Sequence, residues 1–256
     1  MSRLLREAAG RPRRPRLRTL DSVPKYSPPL RRAFTSKELG IIDAHTTPRA
    51  VQHLLDYELG YNHHRVGTTL RSFRYVLQDG ETHCMEAALV AAVVLEQHGY
   101  PPLIVSLESQ DGLDHVLFVH KHRGRWGAVA RSRDAGLHGR KPVFRSIRDL
   151  VWSYVDPYVD WTGRLTGYAL VDLREIDPYD WRFNARNLWW LERYLFRYPH
   201  TPVRSSDRRY RRLLRQFLAY RERRPHGPVT FYKGRRHWLS AGPRRSRASS
   251  AGGAGN

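Results

Sequence analysis

The chain has 256 residues, 40% apolar and 11% aromatic, which is enough for one extended core or two small ones. Its single cysteine excludes an internal disulfide framework and a multi-cysteine metal site, and suits a reducing compartment. The net charge of +21 lies at the ends: residues 1–40 carry +8, residues 179–256 carry +15, and residues 41–178 carry −2 and read as an ordinary neutral globular segment.

In chain order, residues 1–40 are rich in Arg and Pro with no sustained period, and are expected to be disordered. The first residues, Met1 to Arg6, lack the apolar stretch of a secretory signal. No run reaches the ~18–20 apolar residues that cross a bilayer. A soluble, cytoplasmic protein without a transmembrane segment is the expectation.

Thr47-Pro48 reads as an N-cap followed by proline at the first helical position, ahead of Val51, Leu54, Leu55 and Leu59 at helical spacing. A short helix over Thr69 to Leu77 is stopped by Asp79-Gly80. The helix that begins at Cys84 runs to about His98, with Gly99 as its C-terminal cap. Leu103 to Leu107 and His115 to Val119 read as buried strands, and Arg123-Gly124 as a hairpin turn into a partner strand, Trp126 to Ala130. Ser146 opens a helix over Ile147 to Tyr154. Helices followed by an antiparallel sheet give an α+β order over residues 41–178. Beyond it, residues 179–232 hold two amphipathic helical patterns, through Leu188 to Tyr198 and Leu213 to Leu218, and a helical hairpin is expected. Residues 233–256 read as a flexible tail.

Chemistry concentrates at Cys84. A thiol at a helix N-terminus feels the positive end of the macrodipole, which favours the thiolate. His115, at the head of a strand, is placed to serve as its base. Adjacent to Cys84, His83 cannot face it on a helix. His63-His64 and His120/His122 lack the carboxylate or cysteine that would complete a zinc set, and no phosphate-cradling glycine motif occurs, so no metal or cofactor is expected.

Thr82-His83-Cys84-Met85-Glu86-Ala87-Ala88, Gly99, Asp114-His115-Val116, Gly124 to Val129, Arg140 to Ser146 and Ser153-Tyr154 together resemble a transglutaminase-like domain of the papain-like Cys-His superfamily, as found in uncharacterised bacterial members. The resemblance covers roughly residues 43–175. It implies a Cys-His-Asp triad carrying out acyl transfer on a peptide or protein, by hydrolysis or amide exchange, with Cys84 as nucleophile and His115 as base.

The third member of such a triad lies four residues past a tryptophan, where this chain has Ala130. Ser132 and Asp134, just downstream, are the candidates to orient the imidazole. Gln78, six residues before Cys84, stands where papain-like peptidases place an oxyanion donor, and the Cys84 amide is a second candidate donor. Two other classes stay open: a catalytically degenerate binding module, and a polyanion or nucleic-acid binder using arginines interleaved with aromatics in residues 179–256. Of the 45 basic side chains 40 are Arg, a skew that GC-rich coding also produces, so the binding expected of these ends is non-specific.

Overall fold

The computed structural model describes residues 28–63, 67–110, 112, 115–226 and 235–239. Helix α1 (Ser36–Ala44) is opened by a capping box in which Thr35 and Glu38 satisfy each other's amides. Thr47 caps α2 (Pro48–His53), with the proline at its start, and the chain continues as a π-helical turn over Leu54–Glu58. Two short parallel strands, β1 (Gly60–Tyr61) and β2 (Glu81–Thr82), flank α3 (Phe73–Asp79). Gly80, at φ 74°, then turns the chain into α4 (Cys84–Glu96).

Every α4 residue from Met85 to Glu96 is buried. A helix that is apolar on all sides belongs in a core rather than on a surface. Its neighbours are the strands of a six-stranded antiparallel sheet: β3 (Leu103–Ser109), β4 (His115–His122), β5 (Arg125–Val129), β6 (Arg140–Phe144), β7 (Leu165–Asp172) and β8 (Thr201–Pro202), in the order β6-β5-β4-β3-β7-β8. The β4–β5 turn at Arg123-Gly124 has both residues at positive φ, as a tight hairpin requires.

Strand alternation sends Val116, Phe118, Val129, Ala169 and Val171 to the α4 face. Leu107, Leu117, Val119, Ala128 and Ala130 go to the other face, covered by Leu150, Val151 and Tyr154 of α5 (Ile147–Val155). The α+β reading therefore holds, with helices on both faces of the sheet.

Three expectations are corrected. Residues 28–40 are ordered structure, with Phe34 and Glu38 buried; residues 1–27 lie outside the described part of the chain. The helical hairpin does not form. Helix α6 (Trp189–Arg197) and α7 (Asp207–Arg223) are separated by β8, which extends the sheet beside β7. Through Leu188, Leu191 and Leu195 the α6 region joins the α4 core, while α7 sits on the loop after α5 through Phe217 against Trp161 and Arg209 on Asp156. Trp181 is fully buried in the same core, and Arg182 donates to Glu96 of α4 at 2.7 and 2.9 Å, so residue 178 is not a packing boundary. Third, Arg235–Leu239 is not free tail but docks on β6: Trp238 bridges Arg140, and the Leu239 amide donates to Gly139 O at 3.0 Å. The rest of the predicted tail, residues 233–234 and 240–256, lies outside the described residues. No helix among the described residues is long and apolar enough to cross a membrane.

Candidate active site

Cys84 is the first residue of α4, and a buried carboxylate holds that helix end in place. Glu86 accepts the His83 amide at 3.1 Å, as in a capping box, and takes the Thr69 hydroxyl at 3.0 Å. It also accepts the Arg71 amide at 2.8 Å and the Arg71 guanidinium at 2.8 and 3.0 Å. Burial works against the ionised form, but these donors outweigh it and the Glu86 pKa is lowered overall. His83 is occupied elsewhere, its Nε2 bonded to Thr69 O at 2.8 Å. Thr69 and Arg71 also line a small cavity with Tyr75, Asn184, Arg186 and Asn187, beside this helix end.

The half-buried Cys84 sulfur lies within reach of three backbone amides, those of Val116, Met85 and Cys84 itself. These donors favour the thiolate, as does the helix N-terminus. Burial opposes them and wins: the thiol is pushed up to about 11. Tyr61, from β1, is close enough to Cys84 for the two to repel when ionised; burial first, and Cys84 second, raise its phenol to about 12.

The Val116 amide at the sulfur belongs to the residue that follows His115, so the end of α4 meets the head of β4 there, while the His115 ring itself packs against α5, 6.3 Å from the Tyr154 ring. Here β4 has an open edge. Strand β5 pairs with it only as far as Phe118↔Val129. At the next residue Gln52 of α2 replaces a neighbouring strand, its Oε1 accepting from Ala130 N at 3.0 Å and its Nε2 donating to Ala130 O at 2.9 Å. Gly139 packs so tightly on Gln52 that an added Cβ would lie 2.2 Å from Oε1.

His115 is buried, and its Nε2 is 2.8 Å from Leu137 O. A carbonyl can only accept, so Nε2 carries the proton and Nδ1 is left as the basic nitrogen. Burial pushes the imidazole down to about 4, and the charges of His138 and Arg140 act in the same direction. At rest both the Cys84 thiol and the His115 imidazole are thus neutral.

The third position differs from the sequence expectation. The group on His115 is the Leu137 carbonyl rather than the side chain of Ser132 or Asp134. Ser132 Oγ instead accepts the Asp134 amide at 3.2 Å, its carbonyl faces His138 Nε2 at 2.8 Å, and Asp134 pairs at 3.5 Å with Arg133. Gln78 is exposed on the last turn of α3. The amides of Cys84, Met85 and Val116 lie at the sulfur, the last two not singled out by the sequence. Asp114 lies outside the described residues. Among the described residues no three His, Cys, Asp or Glu side chains come together as metal ligands.

No protein-family model matches the chain, and no curated protein does. Among solved structures, LapG from Legionella pneumophila is similar at 9% identity over 58% of this chain and 89% of LapG, with a TM-score of 0.33. The EGTA-treated form of the same protein is similar at 10% identity over 73% of this chain and 92% of that one, with a TM-score of 0.32. Similarity of this size leaves the site to be judged on its own geometry.

Proposed function

We propose that this protein is a thiol-dependent acyl-transfer enzyme of the transglutaminase-like, papain-like kind, acting on an amide or ester carbonyl of a peptide or protein. The observation that carries this reading is the fixed tautomer of His115. Its Nε2–H is spent on Leu137 O, its Nδ1 is basic, and the peptide that follows it lies against the Cys84 sulfur. In this reading a backbone carbonyl takes the orienting part that an Asp takes in a side-chain triad.

As the sulfur adds to the substrate carbonyl carbon, its proton passes to His115 Nδ1. The oxyanion is stabilised by amides at the start of α4. The imidazolium then returns its proton to the leaving amine or alcohol, giving a thioester on Cys84. Water, or an acceptor amine, attacks that thioester while His115 takes the incoming proton, and the thiol is restored. Because burial keeps both groups neutral at rest, proton transfer accompanies attack rather than preceding it.

A p-nitrophenyl ester tests this directly, with the acyl adduct read by intact mass. With one cysteine in the chain, the adduct is expected on Cys84, absent in Cys84→Ala, and its hydrolysis slowed about 10²–10⁴-fold in His115→Ala. A wild-type chain that is not acylated, or a His115→Ala variant that turns over at the wild-type rate, would overturn the proposal and leave the degenerate binding module.

One observation favours a second activity beside it. Arg208, Arg211, Arg212 and Arg215 are all exposed and lie along one side of α7, away from the buried Leu213 and Phe217. Like charges three and four residues apart repel and weaken a helix, so this face suits an anionic partner. With single-stranded DNA as the probe, four phosphate contacts predict a log–log salt slope of about −3, without sequence preference. A flat salt response, or unchanged binding when the four arginines become Gln, would remove this reading.

A further inference from the structure

The loop that carries Leu137 is built around one side chain, Arg140. Its guanidinium is fully buried and donates to three carbonyls of that loop: Gly136 O at 2.5 Å, His138 O at 2.7 Å and Gly139 O at 3.3 Å. On the other side it donates to Ser153 Oγ at 3.1 Å and Ser153 O at 3.3 Å, both on α5. Its plane lies 4.0 Å from the Tyr154 ring centroid, and the Tyr154 hydroxyl donates to His138 O at 3.0 Å.

Outside these sits Trp238, bridged to the Arg140 backbone and with its ring 5.4 Å from the guanidinium. The carbonyls of residues 136, 138 and 139 are therefore gathered onto Arg140, and the one between them, Leu137 O, is the one that meets His115 Nε2. Guanidinium offers five donors in a rigid fork, so it can fix several carbonyls at once where an ammonium cannot.

We infer that Arg140 is a positioning residue for the Cys84–His115 site: by holding the 136–139 carbonyls it presents Leu137 O to His115 and fixes the imidazole tautomer, with Trp238 of the C-terminal segment closing the arrangement from outside. The inference rests on the acyl-transfer reading for its catalytic meaning, but not for its geometry. It also accounts for the docking of the Arg235–Leu239 segment, since Leu239 and Trp238 clamp the two residues, Gly139 and Arg140, on which the loop turns. Substitution by lysine separates charge from shape, because it keeps a cation near His115 and loses the fork.

The test reads the side-chain ¹⁵N resonances of His115 together with ester turnover. In wild type, His115 is expected as the Nε2–H tautomer, without titration from neutral pH down to about pH 5. In Arg140→Lys, with the fold checked by circular dichroism, the two tautomers are expected to mix and Cys84 acyl turnover to fall at least tenfold. Trp238→Ala, which leaves Arg140 in place, is expected to shift both readouts the same way by a smaller factor.

A folded Arg140→Lys chain that keeps the Nε2–H tautomer and wild-type turnover would overturn the inference. Should Arg140→Lys fail to fold, Trp238→Ala and the wild-type spectrum decide. Mixed tautomers in wild type, or an unchanged Trp238→Ala, would overturn it. The proposed activity fails separately. If His115→Ala leaves Cys84 chemistry unchanged while Arg140→Lys still releases the tautomer, positioning stands and acyl transfer falls.

Discussion

Replacing Glu86 by alanine is expected to cost about 3–5 kcal/mol of stability, the range for breaking a buried ion pair by removing one partner. Glu86 is wholly buried and Arg71 nearly so. Without the carboxylate, the Arg71 guanidinium keeps Asp79 and the Glu81 carbonyl, but loses its two bonds to Glu86. The His83 amide, the Thr69 hydroxyl and the Arg71 amide lose their acceptor as well. For a chain of this size the loss corresponds to roughly 10 °C in Tm. Urea unfolding measures it, and a cost below about 1 kcal/mol would show that the carboxylate does not hold the helix end. The double variant Glu86→Met, Arg71→Met should recover part of the loss, because paired apolar replacements leave no stranded charge. Cys84 lies two residues away, so its acylation should fall in the single variant even where the chain remains folded.

How much of this was legible beforehand follows from which chemistry has a side-chain signature. The Cys84 helix, its glycine stop at Gly99, the β3–β5 run and the Arg123-Gly124 turn all follow from periodicity and turn residues, and their bounds differ from expectation by only a few positions. Strand β7 was missed because its buried side reads Leu165, Gly167, Ala169, Val171, where small residues flatten the alternation. Strands β6 and β8 are edge strands containing proline, which demotes them in any pattern reading.

At the proposed site, Cys84 and His115 are legible because a thiol and an imidazole carry their chemistry in the side chain. The group proposed to orient the imidazole is not, since it is the backbone carbonyl of Leu137, and a carbonyl is present at every residue. Ala130, in the position of an Asp, was visible as a departure. The Ala130 backbone is bound by Gln52, 78 residues away, and the loop that carries Leu137 O is bound by Arg140, neither of which spacing reveals. The amides of Val116 and Met85 are equally silent in sequence. Arg140 did stand out within the resemblance, yet nothing in its spacing told what it holds.

Acid should unfold this protein early, and the cause lies on β4. His115 and His120 are both buried, and burial lowers each to about 4. His120 has neither ring nitrogen hydrogen-bonded among the described residues, so nothing rewards its protonation in the folded state. Above pH ~6.5 both rings are neutral folded and unfolded, and they make no pH-dependent contribution. Between that value and about 4 the unfolded chain binds two protons that folded His115 and His120 refuse, and His237, lowered by burial and the cations beside it, adds a loss of the same sign, so stability falls as pH falls.

Two such groups give a slope of about 2.7 kcal/mol per pH unit, and a loss of about 5 kcal/mol by pH ~4.5. Glu38, Glu58 and Glu86, whose pKa values are lowered, add a loss of the same sign only once pH drops below the ordinary carboxylate value near 4.5. The window from about 6.5 to 4.5 therefore isolates the histidines. Urea midpoints across it should shift steeply in wild type and about half as steeply in His120→Leu, which should also be the more stable chain at pH ~5 because two buried ring nitrogens without hydrogen bonds are gone. A wild-type midpoint that stays level between about pH 7 and 5 would mean that both rings take up protons in the folded state. An imidazole that protonates inside the fold has lost its fixed neutral tautomer, so the same result would remove His115 as the resting base of Cys84.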